Sequence, residues 1–484
     1  MTLSKFTGLK SVLVVSLLCG ALSNAFAAAT ISIINGNAPG VGFNDPTPAA
    51  PVGGNTGTTL GEQRLIAFTY AANIWGATLT SAVPIKILAT FEPLTCTATS
   101  GTLGSAGATS IFVDFPGAIK PGTLYGGALA SKLLGEDITI DPDTAPTGTA
   151  HIRARFNSNL GLNANCLPGS PFYLGIDNNH GPLIDFPAVL LHEMGHGVGF
   201  QTFTSGSTGA QVANFPSIWD HFLLDNVSNK LWIDMTQQER VASAISNNGL
   251  SWNGANVTAQ APGVLSRASN LAVSGAAAGT ASGNYAVGDA SFGAPISSVP
   301  VAGQLMPVVD QPDLTTGLAC TPLSANNALA VRGNIALVAR GVCGFVVKAK
   351  NVQDAGAIGM IVSDNVAAPI SGLGGSDPTV FIPSVRITLA DGNTLRSKLT
   401  ARSRTRSGVI ASLGQHPTAL AGSDRFGRVL MNTPNPFQPG SSVSHFTPAT
   451  QRNQLMEPAI NGDLTHSPKL PVDLTFELLK DIGW

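Results

Sequence analysis

The sequence predicts an α+β body interrupted late in the chain by a smaller mixed α/β module. Three observations predict it: helical stripes beside alternating strands in the first part of the chain, a change of texture over residues 291–412, and a return to the first pattern after residue 412. With 44% hydrophobic residues the chain has ample material for buried cores. Only 11% of residues are charged and the net charge is -2, so neither a nucleic-acid tract nor a polybasic anchor is expected.

At the N-terminus, Lys5 and Lys10 precede the apolar run SVLVVSLLCGAL and the small-residue site Ala25-Phe26-Ala27. Residues 1–27 therefore read as a signal peptide and the remainder as a secreted chain with no later membrane span. Cys19 lies inside that leader behind Leu18, where a lipidation signal has a small residue. Cys96, Cys166, Cys320 and Cys343 remain, an even number that reads as disulfides in an exported protein. Neighbourhood along the chain suggests Cys96 with Cys166 and Cys320 with Cys343, one of three connectivities.

Along the body, Leu65, Phe68, Ala72 and Trp75 recur at helical spacing. Ile85, Ile87, Ala89 and Phe91 alternate with polar neighbours, as do Ile152, Ala154 and Phe156, and both runs read as half-buried strands. In DFPAVLLHEMGHGVGF, Pro187 follows Asp185 at a helix start and Gly197 and Gly199 end the pattern. Residues 254–290, rich in Ala, Gly, Ser and Asn, show no period and read as loop and linker. Short apolar strands around the helical VVKAKNVQDAGA then mark the 291–412 module. Residues 28–290 and 413–484 are assigned to the body, which closes on a helix with Leu474, Leu478, Leu479 and Ile482 on one face.

His192 and His196, four residues apart on a helix, project from one face and can share a cation, with Glu193 adjacent. Neutral imidazoles suit zinc, and a zinc ion lowers the pKa of its water to about 7, near which a carboxylate can take the proton. Glycines after the motif let the backbone turn away beneath the ion. The third ligand of the extended pattern HExxHxxGxxH falls on Thr202, so it must come from elsewhere; His445, with Met456 shortly after it, is the candidate.

HEMGHGVGF, a long insertion, and then SHF before LMEP resemble the leishmanolysin-type metzincins, whose third histidine is likewise displaced by an insertion. The resemblance implies a zincin/metzincin-like catalytic domain with a cleft and one Zn2+ held by His192, His196 and His445. It also implies Glu193 as catalytic base, Met456 in the methionine turn, and protein or peptide substrates. The insertion is unusually long, and no inhibitory propeptide is recognisable. Within it, Arg340, Gly341, Cys343, Phe345, Lys348 and Gly356 in NIALVARGVCGFVVKAKNVQDAGAIGMIVSDN resemble a protease-associated (PA) domain. Such inserts are non-catalytic, and the implied role is a lid or an additional contact for substrate.

Asp220 and His221 are the rival third ligands, set in a segment whose Trp219, Phe222 and Leu223 look core-packed. His151, His180, His416 and His466 lack ligand spacing, although His466 could line the cleft. Lys348, Lys350 and Arg340 read as a solvated face, and Asp137, Asp141 and Asp143 as turn formers rather than a calcium site. None of Tyr70, Tyr125, Tyr173 and Tyr285 is close to Met456 in sequence, so no oxyanion-stabilising tyrosine is assigned. The competing functions are a polypeptide-binding protein that has lost turnover and a metallo-exopeptidase.

Overall fold

The computed structural model describes residues 28–140, 145–309 and 317–484. The expected signal peptide, Asp141 and Asp143 lie outside them.

The body begins with β1 (Ile31–Asn35), α1 (Leu60–Gly76), β2 (Ile85–Glu92), β3 (Gly104–Ala108) and β4 (Ile152–Asn157), followed by α2 (Phe186–Val198). Thr59 and Glu62 close a capping box at the start of α1, satisfying amides that the first turn leaves without partners. The helix buries Phe68, Ala72 and Trp75, as its spacing predicts, and the Trp75 indole donates to the Leu191 carbonyl of α2 at 3.0 Å. The sheet order is β1-β2-β4-β3, parallel except for β3, which runs antiparallel to β4 at the edge. Ile85, Ile87, Ala89, Phe91, Ile152, Ala154 and Phe156 are all buried. Burial of each large apolar side chain contributes about 1.5–3 kcal/mol.

The stretch expected as linker is structured instead: α3 (Ala255–Val264) leads into β5 (Arg267–Ser274), β6 (Gly283–Ala286) and β7 (Gly288–Asp289). Its Ala- and Gly-rich composition hides the strand, because only Leu271 and Val273 supply large apolar groups to the core. Then come β8 (Val301–Pro307), α4 (Ala325–Val331), β9 (Ile335–Ala339), α5 (Phe345–Asp354), β10 (Gly359–Ser363), β11 (Ser384–Ile387), α6 (Leu389–Ser397) and β12 (Ile410–Leu420). These strands form one sheet in the order β6-β5-β12-β8-β9-β10-β11-β7. The module thus begins before residue 291 and ends after residue 412, with β5 and β12 as its paired entry and exit.

Two apolar clusters line this sheet, drawn from residues between Leu271 and Leu413. A third unites Trp75, Met194 and Phe200 with Val443, Phe446, Met456 and the terminal α7 (Thr475–Ile482). The body is therefore closed by chain from both sides of the insertion. The cysteines pair as Cys96–Cys166 in the body and Cys320–Cys343 in the insertion. Among the described residues no helix is long and apolar enough to cross a membrane.

Candidate metal centre

Asp185 caps α2, accepting from the Ala188 amide at 3.4 Å, and Pro187 occupies the first turn, where its missing N–H costs nothing. Gly199, at φ 135°, ends the helix. Two turns of this wholly buried helix carry His192, Glu193 and His196. His445 arrives on a loop whose Phe446 amide donates to the Met456 carbonyl at 2.9 Å.

The three Nε2 atoms stand 3.2 Å apart in every pairing. Each ring's other nitrogen faces a backbone carbonyl: His192 Nδ1 to Leu455 O at 2.8 Å, His196 Nδ1 to Phe200 O at 2.8 Å, and His445 Nδ1 to Ser441 O at 2.9 Å. A carbonyl can only accept, so each Nδ1 carries the proton and each Nε2 presents a lone pair. Burial pushes His192 down to about 4 and His196 to about 3, and His445 also titrates well below the ordinary range, the neighbouring rings adding to the effect at the latter two. Three neutral bases thus point lone pairs at one spot. Tetrahedral zinc with bonds of about 2.05 Å separates its ligand nitrogens by about 3.3 Å, so these residues fit the ion.

Glu193 is buried beneath the edge strand β3. Burial raises its carboxyl to about 8, against the Ala106 amide and Arg155, which both favour the anion. Gly104 makes this approach possible, since a Cβ there would stand 2.9 Å from Glu193 Oε1. Met456 is fully buried under the same helix, where a Cβ on Gly195 would meet its sulfur at 2.7 Å.

The segment around Met456 is clamped by residues that local patterning does not reveal. Asp473 accepts from the Leu455 amide at 2.6 Å and the Thr475 amide at 2.8 Å, pinning the residue whose carbonyl orients His192. Glu457 accepts from the Gln454 amide at 2.8 Å and from the Thr450 hydroxyl. Asp473 carries only the local signal of a turn former ahead of a helix; its contact with Leu455 is non-local.

Thr202 donates through its hydroxyl to Asp220 at 2.7 Å, and its amide donates to Ser444 at 3.3 Å. His445 therefore comes in beside the position where a short-range third histidine would stand. Asp220 is satisfied by Thr202, Thr204 and the Ser217 amide, and His221 by Thr123 at 3.0 Å; neither joins the three histidines. His466 braces the body instead of lining the cleft, bonding Asp185 at 2.8 Å and Tyr70 at 3.2 Å. His151 lies against Ser131 at 3.0 Å and Asp137 at 3.2 Å, and Lys86 also holds Asp137 at 2.8 Å.

Residues 301–395 match the PA domain family. This segment is a PA domain. A short stretch is 41% identical over 69 residues to the minor extracellular protease Vpr of Bacillus subtilis, covering 14% of this chain and 8% of that protein. A match of 43% identity over 76 residues is to the ER degradation-enhancing alpha-mannosidase-like protein 3 of Xenopus laevis, again 14% and 8%. The chain thus spans less than a tenth of the length of these relatives. Among solved structures, a zinc aminopeptidase from Bacillus subtilis aligns at 21% identity over 33% of this chain and 36% of its own, with a TM-score of 0.22. An aminopeptidase from Aneurinibacillus sp. strain AM-1 aligns at 18% over 41% of each chain, with a TM-score of 0.23. Overlaps this slight do not bear on the fold of the body.

The PA domain corrects one reading of its own sequence. Lys348, expected on a solvated face, is fully buried and donates to the Leu318 carbonyl at 2.6 Å. Its ammonium is tied into the interior, whereas Lys350 is exposed and pairs with Asp354. Arg340 pairs with Asp364 at 2.9 Å.

Proposed function

We propose that this chain is a secreted zinc metalloendopeptidase that hydrolyses internal bonds of protein or peptide substrates, with one Zn2+ on His192, His196 and His445. The observation that carries the reading is the set of three buried Nε2 lone pairs 3.2 Å apart, each fixed by a carbonyl bond on the far side of its ring. Bound there, zinc supplies Lewis-acid activation of water near neutral pH.

Glu193, adjacent to His192 on the same helix, would take the proton released as water attacks and pass it to the departing amine. Burial of all four side chains excludes bulk water and keeps the rings neutral, the form in which they can ligate. Among the described residues no strand pairs with the outer edge of β3, which would leave room for an extended chain whose two ends continue past the site. Met456, packed on Gly195, supports the helix turn between the two histidines. The PA domain adds a second contact for polypeptide.

The test is metal content measured beside casein hydrolysis for the purified mature protein, with and without a chelator. About one zinc per chain is expected, with chelator-sensitive cleavage at internal positions. Glu193→Gln should keep the zinc and lower hydrolysis by about 10²–10⁴-fold, and His445→Ala should lose most of the zinc. Undiminished cleavage by Glu193→Gln, or removal of terminal residues only, would sink the reading.

A further inference from the structure

From the last turn of α6 toward β12 the chain reads RSKLTARSRTR over residues 396–406, placing Arg396, Lys398, Arg402, Arg404 and Arg406 together with no acid. A protein with only 26 lysines and arginines among 484 residues thus gathers five of them within residues 396–406. Among the described residues none of the five forms an ion pair. Lys398 reaches only the Thr280 hydroxyl at 3.2 Å, and Arg402 only the Ser403 carbonyl at 3.3 Å. Arg396, in the last turn of α6, donates one bond to Ser363 at 3.1 Å, and its Nε and second terminal nitrogen are buried, so it stands behind the exposed group and not in it. Arg404 and Arg406 are exposed.

The turn is nevertheless firmly built. The Ser403 amide donates to the Arg406 carbonyl at 2.8 Å, and the Arg406 amide returns to the Ser403 hydroxyl at 3.1 Å. At its base the Ser407 and Gly408 amides both donate to Gln304 Oε1, at 3.1 and 2.8 Å, while Leu399 and Val409 are buried. A fixed backbone presents the guanidinium groups at a reduced entropic cost of docking. Since Ser274 pairs with Ile410, the turn caps the end of the β5–β12 ribbon opposite its junction with the body. The ribbon is seven residue steps long, about 23 Å.

We propose that this turn docks acidic, carboxylate-rich segments of polypeptide, as an exosite remote from the histidine centre. Three of the four accessible cations, Arg402, Arg404 and Arg406, are arginines, whose planar fork matches a carboxylate through two parallel bonds. The turn has no aromatic side chain on which bases could stack and no large exposed apolar side chain to enter a lipid surface. The choice of polypeptide as partner rests on the peptidase reading, and the inference names the substrate class that reading leaves open. Because the contacts are exposed they are screened by salt, so the docking acts through long-range attraction.

The experiment uses the full chain carrying Glu193→Gln, so that nothing is cleaved, and follows the anisotropy of a labelled glutamate-rich peptide long enough to span the turn. A Gly/Ser peptide of the same length, phosphatidylglycerol vesicles and a single-stranded oligonucleotide serve as the other probes. The glutamate peptide should bind in low salt, and the triple substitution Arg402→Gln, Arg404→Gln, Arg406→Gln should weaken it about tenfold, as should about 0.3 M salt. Arg404→Gln alone, at the tip and without a partner to lose, should give a smaller loss in the same direction. Equal binding by the triple variant overturns the proposal; so does arginine-dependent binding of vesicles or oligonucleotide in the absence of peptide binding. A chain that binds the peptide but whose Glu193 form never cleaves casein removes the peptidase reading alone.

Discussion

Two buried polar clusters, one in the PA domain and one in the body, are built in opposite ways. In the PA domain, Asp364 is buried between Arg340 and Arg386, and its carboxyl is held down at about 2 by their hydrogen bonds, although burial alone would raise it. Charge there is matched within the protein. In the body, His192, His196 and His445 bring three lone pairs together with no donor between them. A matched network contributes to holding a fold; an unmatched set of the same donor type is an arrangement suited to a cation.

Removing the match in the first region should have the largest effect on stability. Asp364→Ala leaves Arg386 buried and unpaired and should cost about 3–5 kcal/mol in denaturant unfolding of the PA domain. Zinc content should be unchanged, and a variant that also lost zinc would mean the two regions are coupled.

The next effect sharpens the second region. Asp473→Asn can keep its bond to the Thr475 amide but turns an NH2 toward the Leu455 amide, loosening the carbonyl that orients His192. Zinc affinity, measured by chelator competition, should fall about 10–100-fold. Unaltered affinity would show that Leu455 is held well enough without this carboxylate.

A smaller effect concerns pH. Burial raises Glu457 to about 7 in the folded protein, from an ordinary value of 4.5. The folded state therefore binds this proton more tightly than the unfolded chain, so its contribution is complete below about 4.5 and is lost as pH rises through about 7. Glu457→Gln should flatten the fall in Tm across that window, and a slope equal to that of the wild type would assign the dependence to another group. Smallest of all, Lys350→Ala breaks an exposed pair with Asp354 and should change stability by less than about 0.5 kcal/mol.

Much of the body is legible along the chain, because a period of 3.6 or 2 is a property of neighbouring residues. The spacing of Phe68, Ala72 and Trp75 reports a helix, and that of Ile85, Ile87, Ala89 and Phe91 a strand, wherever they later pack. The stretch before residue 291 was less legible, since small residues in β5 carry little contrast between its two faces. Lys348 defeats composition outright: only its burial and its bond to the Leu318 carbonyl show that its charge is used inside.

By itself the sequence determined that His192, Glu193 and His196 share one helix, because four residues make about one turn. It also pointed to His445 through the nearby Met456, although spacing along a chain cannot say whether a distant loop arrives. The tertiary structure decided that it does, bringing His445 to within 3.2 Å of both partners while Thr202 turns to Asp220. It alone decided which carbonyls aim the rings, that Asp473 holds one of them, and that His466 braces Asp185. Each of these contacts joins residues far apart in sequence, where local periodicity carries no information and packing of the closed core selects the partner.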